Sequence, residues 1–371
     1  MPARWHSENG TPPPDRVVLA DDRMRADAAH RLAVDGAALL WRGDYHGARQ
    51  LLAALARRTG RRRAHRRPAT TPAQAFLEHR RERARTARVL GRLVVPLEAD
   101  HALRLRRAPD VRRACQEAYG PPDGPRVVAL RELLGVIGAQ QWRERGVEVP
   151  ALGGRVHPHY GVFAPVRGEY VDLVARAPLP GPAGGPGGIA FDLGTGTGVL
   201  AAVLARRGVG RVQVTDANPR ALDCARDNAV RLGLADRLLP AGTGLYPPGG
   251  GRAGLVVCNP PWLPASPGSA LEQGVYDPGG RMLRGFLEGL AERLTPGGEG
   301  WLVLSDLAEH LGLRSRAELH GAIAAAGLHV LDRLDTRPRH RKALDAARAS
   351  GDPLRAARAA EVTSLWRLAP P

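Results

Sequence analysis

Residues 191–198 read FDLGTGTG, at the point where an apolar run gives way to a helical pattern. The apolar run predicts a buried strand, and the residues after the loop predict a helix. Gly194, Gly196 and Gly198 let the backbone of this turn pass close to a bound ligand. The dinucleotide fingerprint G-x-G-x-x-G would need glycine at the next position, where this chain has Val199. The spacing therefore predicts a ligand-binding loop and disfavours a nicotinamide oxidoreductase.

Short strand patterns alternate with helical patterns on the carboxyl side of this loop. Strands that alternate with helices predict a parallel sheet with helices on both faces. The predicted strands are 189–193, 211–215, 237–241, 254–258, 300–305, 328–334 and 362–368, and the predicted helices between them include 198–207, 219–233 and 280–294. We expect an α/β fold over residues 151–371, with a doubly wound, mostly parallel sheet of seven strands.

An acidic residue, Asp216, ends the second predicted strand. At this place an acid can accept hydrogen bonds from both hydroxyls of a ribose. An alternative role is to start the next helix, but Asn218 followed by Pro219 already provides a capping residue and a proline at the first helical position. The sequence therefore predicts that Asp216 binds a nucleoside.

The fourth predicted strand ends in VVCNPPW, residues 256–262. Together with the glycine loop and Asp216, this motif resembles the class I S-adenosylmethionine-dependent methyltransferases of the small-domain type, over residues 160–310. The resemblance implies a Rossmann-like fold and S-adenosylmethionine as cofactor. It also implies a role for each of these residues: Asp192, Gly194, Gly196, Gly198, Asp216 and Asn259 bind the cofactor, and Asn259, Pro260 and Trp262 form the catalytic site. The family usually has an acid or amide after the third strand, where this chain offers only Thr243 for the adenine edge.

The tetrapeptide at 259–262 is typical of enzymes that methylate a planar nitrogen. The lone pair of such a nitrogen is delocalised, so it attacks a methyl group poorly unless it is held in line. The Asn259 side-chain oxygen and the Pro260 carbonyl can accept its two N–H bonds, and proline fixes their geometry. Trp262 can then stack on a flat base or amide. The alternative is a purely structural role, in which the strand ends in a proline turn that packs over a core tryptophan.

The acceptor is open between two classes of molecule. We expect a base in RNA or DNA, and the alternative is a glutamine amide in a translation protein, either a release factor or a ribosomal protein. An alternative hypothesis of another functional class is a non-catalytic scaffold that binds nucleic acid. Residues 1–150 favour nucleic acid, because 29 arginines stand against 17 acidic residues in a chain of formal net charge +17. The alternative is an arginine-rich solvated surface, since Lys342 is the only lysine.

Residues 1–150 are predicted to form a mostly helical, basic accessory domain that takes part in substrate recognition. Residues 1–15 are polar and proline-bearing and are predicted to be disordered. The segment from Arg57 to Arg67 contains seven arginines, which makes it the strongest candidate for phosphate contacts in this half.

Several classes of protein are disfavoured by composition. No apolar run approaches the roughly 18 residues of a membrane span, and the N-terminus lacks the apolar segment of a signal peptide. Cys115, Cys224 and Cys258 are isolated and suit a reducing compartment. His157 and His159 have no third ligand nearby in sequence, so we expect no metal. The sequence predicts a cytoplasmic protein and does not indicate its oligomeric state.

Overall fold

A computed structural model describes residues 3–61, 69–166, 168–268, 271–337 and 352–371, without the side chains of residues 61 and 271. Compact packing divides the chain into two units. The first contains residues 1–69 and 76–141, and the second contains residues 70–75 and 142–371. The domain boundary predicted from the sequence is at 150/151, whereas the division between the two compact units falls at 141/142. Residues 62–68 of the arginine-rich segment lie outside the described part of the chain.

Helices and short strands both build the first 145 residues. The strands are β1 (Arg4–Trp5), β2 (Val17–Ala20), β3 (Ala38–Trp41), β4 (Leu93–Leu97) and β5 (Arg126–Ala129). The helices are α1 (Ala26–Val34), α2 (Tyr45–Arg61), α3 (Pro72–Leu90), α4 (Arg112–Tyr119) and α5 (Leu130–Arg145). Within the described residues the strands form one sheet of five, in the order β1-β5-β4-β3-β2.

This sheet corrects the expectation of a mostly helical domain. Helical residues do outnumber strand residues, but the helices accompany an α/β sheet in which β2, β3 and β4 are parallel. The apolar residues of 23–56 recur at a spacing that favours helix, with a break near Gly43, whereas Ala38–Trp41 forms a buried strand. An apolar run of four residues fits a buried strand as well as a helix face, so periodicity alone could not separate the two.

The N-terminal residues are ordered from residue 3 onward, contrary to the predicted disorder of residues 1–15. Arg4 and Trp5 pair in parallel with Arg126 and Val127 of β5. The Trp5 indole N–H also donates to the Thr11 carbonyl at 2.7 Å. Backbone pairing therefore holds a segment whose composition supplies little apolar surface.

The second unit contains the remaining elements. Its strands are β6 (Val147–Val149), β7 (Gly154–Val156), β8 (Gly185–Leu193), β9 (Val209–Thr215), β10 (Leu238–Gly242), β11 (Ala253–Cys258), β12 (Leu294–Ser305), β13 (His329–Thr336) and β14 (Thr363–Ala369). Its helices are α6 (Glu169–Arg176), α7 (Val199–Arg206), α8 (Pro219–Arg231), α9 (Arg281–Arg293), α10 (Leu307–His310), α11 (Arg316–Ala325) and α12 (Pro353–Ala360).

A large sheet organises this unit, and its order over the described residues is β10-β9-β8-β11-β12-β14-β13. The strands from β10 to β12 are parallel, and β14 runs antiparallel to both of its neighbours. The expected Rossmann-like, mostly parallel sheet is therefore confirmed. β6 and β7 form a separate antiparallel hairpin.

Helices cover both faces of the large sheet, and β11 shows why. Leu255 and Val257 pack into one hydrophobic cluster with α6, α7 and α8. Val256 and Cys258 pack into a second cluster with α9 and α11. Successive side chains of a strand point to opposite faces, so a continuous apolar strand must be buried on both sides.

None of the helices that the structure describes combines the length and the hydropathy of a membrane span.

Segment 178–188 is dense in glycine and proline, a composition that disfavours regular structure, yet part of it is regular. A short 3-10 turn covers Gly181–Ala183, and β8 begins at Gly185 with a register shift before Ile189. The segment passes very close to the first residues of β11. A Cβ atom added to Gly254 would lie 2.4 Å from the Pro182 carbonyl carbon.

We therefore expect Gly254→Ala to lower the free energy of unfolding by about 1–3 kcal/mol, because a backbone must move to admit the methyl group. Gly321→Ala is the matched control: Gly321 lies in α11, and a Cβ atom there would meet nothing within 4 Å. That substitution should stabilise the protein by about 0.4–1 kcal/mol. Urea unfolding of the two variants measures the difference, and equal effects would contradict the close approach.

Candidate functional site

Four neighbouring strands bring the predicted site residues to one edge of the large sheet. Thr243 follows β10, Asp216 follows β9, the glycine loop follows β8, and Asn259 follows β11. These strands are parallel, so their carboxyl ends meet at the same edge. The chain moves from β8 outward to β9 and β10, then returns to the other side of β8 with β11. Ligands of open α/β sheets bind at such a switch point.

The loop after β8 requires glycine for its shape. Gly194, Gly196 and Gly198 have φ values of +70°, +55° and +78°, which side chains rarely adopt. The N–H groups of Gly194 and Thr195 donate to the Thr215 carbonyl at 2.9 and 3.0 Å. Beside Gly196 the structure is open, because an added Cβ atom would meet nothing closer than the Phe163 carbonyl oxygen at 3.9 Å. The loop thus forms a cradle that a side chain at residue 196 would fill.

Asp216 connects this loop to the end of β9. Its Oδ2 accepts the Gly196 N–H at 2.9 Å, and its Oδ1 accepts the Asn218 N–H at 2.9 Å. Each carboxylate oxygen retains a further lone pair, so both can still accept a hydroxyl. Burial raises the pKa of Asp216 above its usual value. Asn218 caps α8 by accepting the Arg220 N–H at 3.1 Å, as its position before Pro219 predicts.

Asp192 is buried beneath the loop, not exposed in the cradle. Its Oδ2 accepts the Thr195 hydroxyl at 2.7 Å and the Ala201 N–H at 3.2 Å. Ala201 lies in the first turn of α7, where backbone N–H groups have no helical partner. Burial raises the pKa of Asp192 to about 6. The carboxyl therefore shapes the cradle through its neighbours, and Thr195, which the sequence analysis did not single out, is one of them.

The segment after β11 is arranged around a side-chain hydrogen bond. The Trp262 indole N–H donates to the Asn259 Oδ1 at 2.9 Å. Trp262 is half-buried and packs against both hydrophobic clusters of the sheet, and Pro260 is buried. The indole thus fixes the orientation of the Asn259 amide. One lone pair of Oδ1 remains for another donor.

Backbone hydrogen bonds that were not predicted follow this segment and bring Leu263 close to Val275 and Asp277; residues 263–268 and 271–277 are called the closed loop. The Leu263 N–H donates to the Val275 carbonyl at 3.2 Å, and the Asp277 N–H donates to the Leu263 carbonyl at 2.9 Å. The buried Asp277 carboxylate then accepts the Met282 N–H at 2.8 Å in the first turn of α9. An acid just before a helix start, in YDPGGRM at 276–282, is the sequence signal for this contact.

Met282 and Phe163 lie beside the glycine loop. A Cβ atom added to Gly194 would lie 2.4 Å from the Met282 Cε, so the thioether tip covers that residue. Phe163 is 41% exposed, and its Cβ would lie 3.0 Å from one added to Gly274 of the closed loop. Thr243 is exposed one residue beyond β10. Met282 lies in the first turn of α9, where its N–H donates to Asp277. This hydrogen bond therefore also positions the side chain that covers Gly194.

The two histidines considered as metal ligands make other contacts. His157 Nδ1 lies 2.7 Å from the Arg143 carbonyl oxygen, and His159 Nε2 lies 2.9 Å from Asp227 Oδ2. Among the residues that the structure describes, no group of three or more His, Cys, Asp and Glu side chains is placed to hold a metal ion.

The chain is similar to known methyltransferases in its second unit. Residues 156–319 match the family model of the methyltransferase small domain. A release factor glutamine methyltransferase of Cereibacter sphaeroides is 34% identical over 164 residues, covering 40% of this chain and 56% of the relative. A ribosomal protein L11 methyltransferase of Pelotomaculum thermopropionicum is 46% identical over 74 residues, covering 20% of this chain and 24% of the relative.

A third relative is a tRNA1(Val) (adenine(37)-N6)-methyltransferase of Porphyromonas gingivalis, 37% identical over 83 residues, covering 20% of this chain and 32% of the relative. The chain thus spans from about a quarter to about half the length of these curated relatives. Residues 156–319, which match the family model, contain the glycine loop, Asp216 and residues 259–262.

The buried carboxyl of Asp192 predicts a pH effect on stability. Folding raises its pKa from 3.8 to about 6, so the folded state binds the proton more tightly than the unfolded state. The resulting contribution to the free energy of unfolding is present at low pH and is lost as the pH rises through 6. Both hydrogen bonds go to one oxygen, which an asparagine can supply. The wild type should therefore lose up to about 3 kcal/mol of unfolding free energy from pH 4 to pH 7 relative to Asp192→Asn. Parallel pH dependences in urea titrations would refute this.

Proposed function

We propose that this protein is an S-adenosylmethionine-dependent methyltransferase that transfers the methyl group directly to a planar nitrogen. The observation that carries the proposal is the convergence at one sheet edge of the glycine loop, Asp216 and the Asn259–Trp262 segment, inside the region that matches the methyltransferase small domain. The proposed catalytic domain is residues 151–371, and residues 1–150 are proposed to recognise the substrate. An acceptor in nucleic acid or translation would place the protein in the cytoplasm.

The geometry of the cradle supports this cofactor, which supplies a methyl group activated on a sulfonium. The space beside Gly196 admits the amino-acid portion, and the two remaining lone pairs of Asp216 suit the two ribose hydroxyls. Thr243 is proposed to meet the adenine edge. Asp192 contributes indirectly, because its hydrogen bonds to Thr195 and Ala201 hold the loop and the start of α7.

The acceptor is proposed to lie against Asn259 and Pro260. The free lone pair of Asn259 Oδ1 and the Pro260 carbonyl accept the two N–H bonds of the nitrogen and direct its lone pair toward the methyl group. As the nitrogen attacks, positive charge develops on it and its N–H bonds become better donors. These hydrogen bonds therefore strengthen in the transition state, which is the condition for catalysis. Trp262 orients the amide of Asn259 and offers its ring for stacking.

We favour a base in RNA or DNA as the acceptor. The arginine excess of residues 1–150 supports a polyanionic substrate. One relative, moreover, is named for methylation of a tRNA adenine. The second candidate is the side-chain amide of glutamine in a translation protein. It is supported by the release factor glutamine methyltransferase, which matches over 164 residues, a longer stretch than the 83 of the tRNA enzyme.

Removal of the Asp216 carboxylate should weaken the cofactor strongly. Asp216→Ala loses two charge-assisted acceptors for the ribose, each of which contributes about 1.5–3 kcal/mol, so S-adenosylmethionine affinity should fall at least about a hundredfold. Isothermal titration calorimetry measures this. Asp223→Ala is the control, because Asp223 is an exposed acid on α8 that pairs with Arg226. A wild type that binds no S-adenosylmethionine would overturn the whole proposal.

Loss of the Asn259 side chain should affect turnover and spare the cofactor. With Asn259→Ala we expect methyl transfer to fall about a hundredfold, while S-adenosylmethionine affinity changes less than about threefold, because the cofactor keeps the glycine loop and Asp216 and loses only the contribution of Asn259. The measurement uses radiolabelled cofactor with separate RNA, DNA and protein fractions. Label in RNA or DNA supports the favoured acceptor, and label on protein glutamine supports the second. Unchanged turnover would refute the role of Asn259, and cofactor binding without any transfer would indicate a scaffold.

A further inference from the structure

A second concave site lies in the second unit, apart from the glycine loop. It is a cavity of about 520 Å³ between the β6–β7 hairpin and the carboxyl ends of α7 and α8. Its lining residues come from these three elements and their neighbours, and they include Arg155, Arg206, Arg231 and Leu232. Nothing in the proposed methyl transfer uses these residues.

The charges around this cavity are of one sign. Arg155, Arg206 and Arg231 are exposed, and the lining that the structure describes contains no carboxylate. Glu148 approaches Arg155 at 3.8 Å, but it is 73% exposed and neutralises little. Within the described chain, Arg231 has no carboxylate at ion-pairing distance. Three guanidinium groups therefore converge on the cavity with little compensation.

Two of these guanidinium groups are oriented by the backbone. The Arg206 side chain donates to the Leu232 carbonyl at 2.9 Å, and the Arg155 side chain donates to the Arg145 carbonyl at 2.9 Å. Each guanidinium has five N–H donors, so most remain for a ligand. Arginine at a helix carboxyl end can be explained by the helix dipole alone, but Arg155 lies on a strand. The partial negative charges at the carboxyl ends of α7 and α8, about half a unit each, do not neutralise the three positive charges of the guanidinium groups.

The position of the cavity excludes the cofactor as its occupant. α7 begins beside the glycine loop and α8 begins beside Asp216, and both run back toward the amino ends of the strands. At 1.5 Å per residue, their 8 and 13 residues carry the chain about 12 and 20 Å away from the cofactor edge. A ligand that reaches both places must therefore be long, and its part in the cavity must be anionic.

We propose that this cavity binds backbone phosphates of a nucleic acid, at a distance of several nucleotides from the methylated base. The proposal rests on the nucleic-acid form of the function proposed above. Guanidinium groups match phosphate oxygens with paired hydrogen bonds, and contacts to the backbone position a substrate without reading its sequence. The cavity would thus hold the substrate at the amino edge of the sheet while its base is methylated at the carboxyl edge.

The test is RNA binding by the full chain with Arg155→Gln/Arg231→Gln. Fluorescence anisotropy with a labelled single-stranded RNA of about 20 nucleotides gives the affinity at a series of salt concentrations. Two lost phosphate contacts should reduce the slope of log K against log salt by about 1.4 and weaken binding about tenfold at 0.1 M salt. Arg226→Gln/Arg355→Gln removes the same charge from exposed, ion-paired positions and should change affinity less than twofold.

The possible outcomes separate this proposal from the function on which it rests. Equal behaviour of the two double variants overturns the cavity site, even where RNA is methylated. A selective loss of RNA binding supports the site, even where the label enters only protein. Competition with inorganic phosphate and with polyglutamate identifies the ligand: a small phosphate or an acidic peptide that displaces RNA at equal charge concentration would overturn the backbone assignment. Unchanged S-adenosylmethionine affinity shows that the variant is folded.

Discussion

The buried carboxyl of Asp192 joins three parts of the site at the end of β8. One of its oxygens accepts hydrogen bonds from the Thr195 side chain and from the Ala201 backbone, which lie in the loop and in the first turn of α7. The loop can then present the Gly196 N–H to Asp216 on the next strand. Burial of a carboxyl group costs free energy unless the group is hydrogen-bonded. The hydrogen bonds from Thr195 and Ala201 offset this cost for Asp192. The cradle, the ribose acceptor and the helix start depend on this contact.

The large sheet converts that local geometry into a site. Its central strands, such as β11, are buried on both faces, which requires helices on both sides and connections of one hand. The order of the strands reverses between β8 and β11, and this leaves a gap at the carboxyl edge that no crossover covers. The loop after β8 and the segment after β11 flank this gap. Asp216 and Asn259 therefore lie at the same edge of the sheet, after the two strands that flank β8, although they are 43 positions apart in sequence.

The sequence predicted the sheet well where local signals were strong. The end of each strand from β8 to β14 was placed within two residues, since glycine, proline and polar residues bound the apolar runs there, but β8 and β12 begin four and six residues before their predicted starts. It failed for Ala38–Trp41, whose four apolar residues carry no period that distinguishes strand from helix, and for Arg4–Trp5, which is ordered only by pairing with a distant strand. Both elements are defined by contacts between remote segments, which composition does not contain.

The same limit applies inside the site. All the predicted residues lie at one edge, because their position at strand ends is a property of the sequence. Their partners are a property of the fold: the hydrogen bond from Trp262 occupies one of the two lone pairs of Asn259 Oδ1 and leaves the other for the acceptor. Trp262 consequently cannot swing over a substrate without releasing the amide that orients the nitrogen. Stacking and orientation are coupled through one side chain, so an acceptor must fit the indole in the position that this hydrogen bond defines.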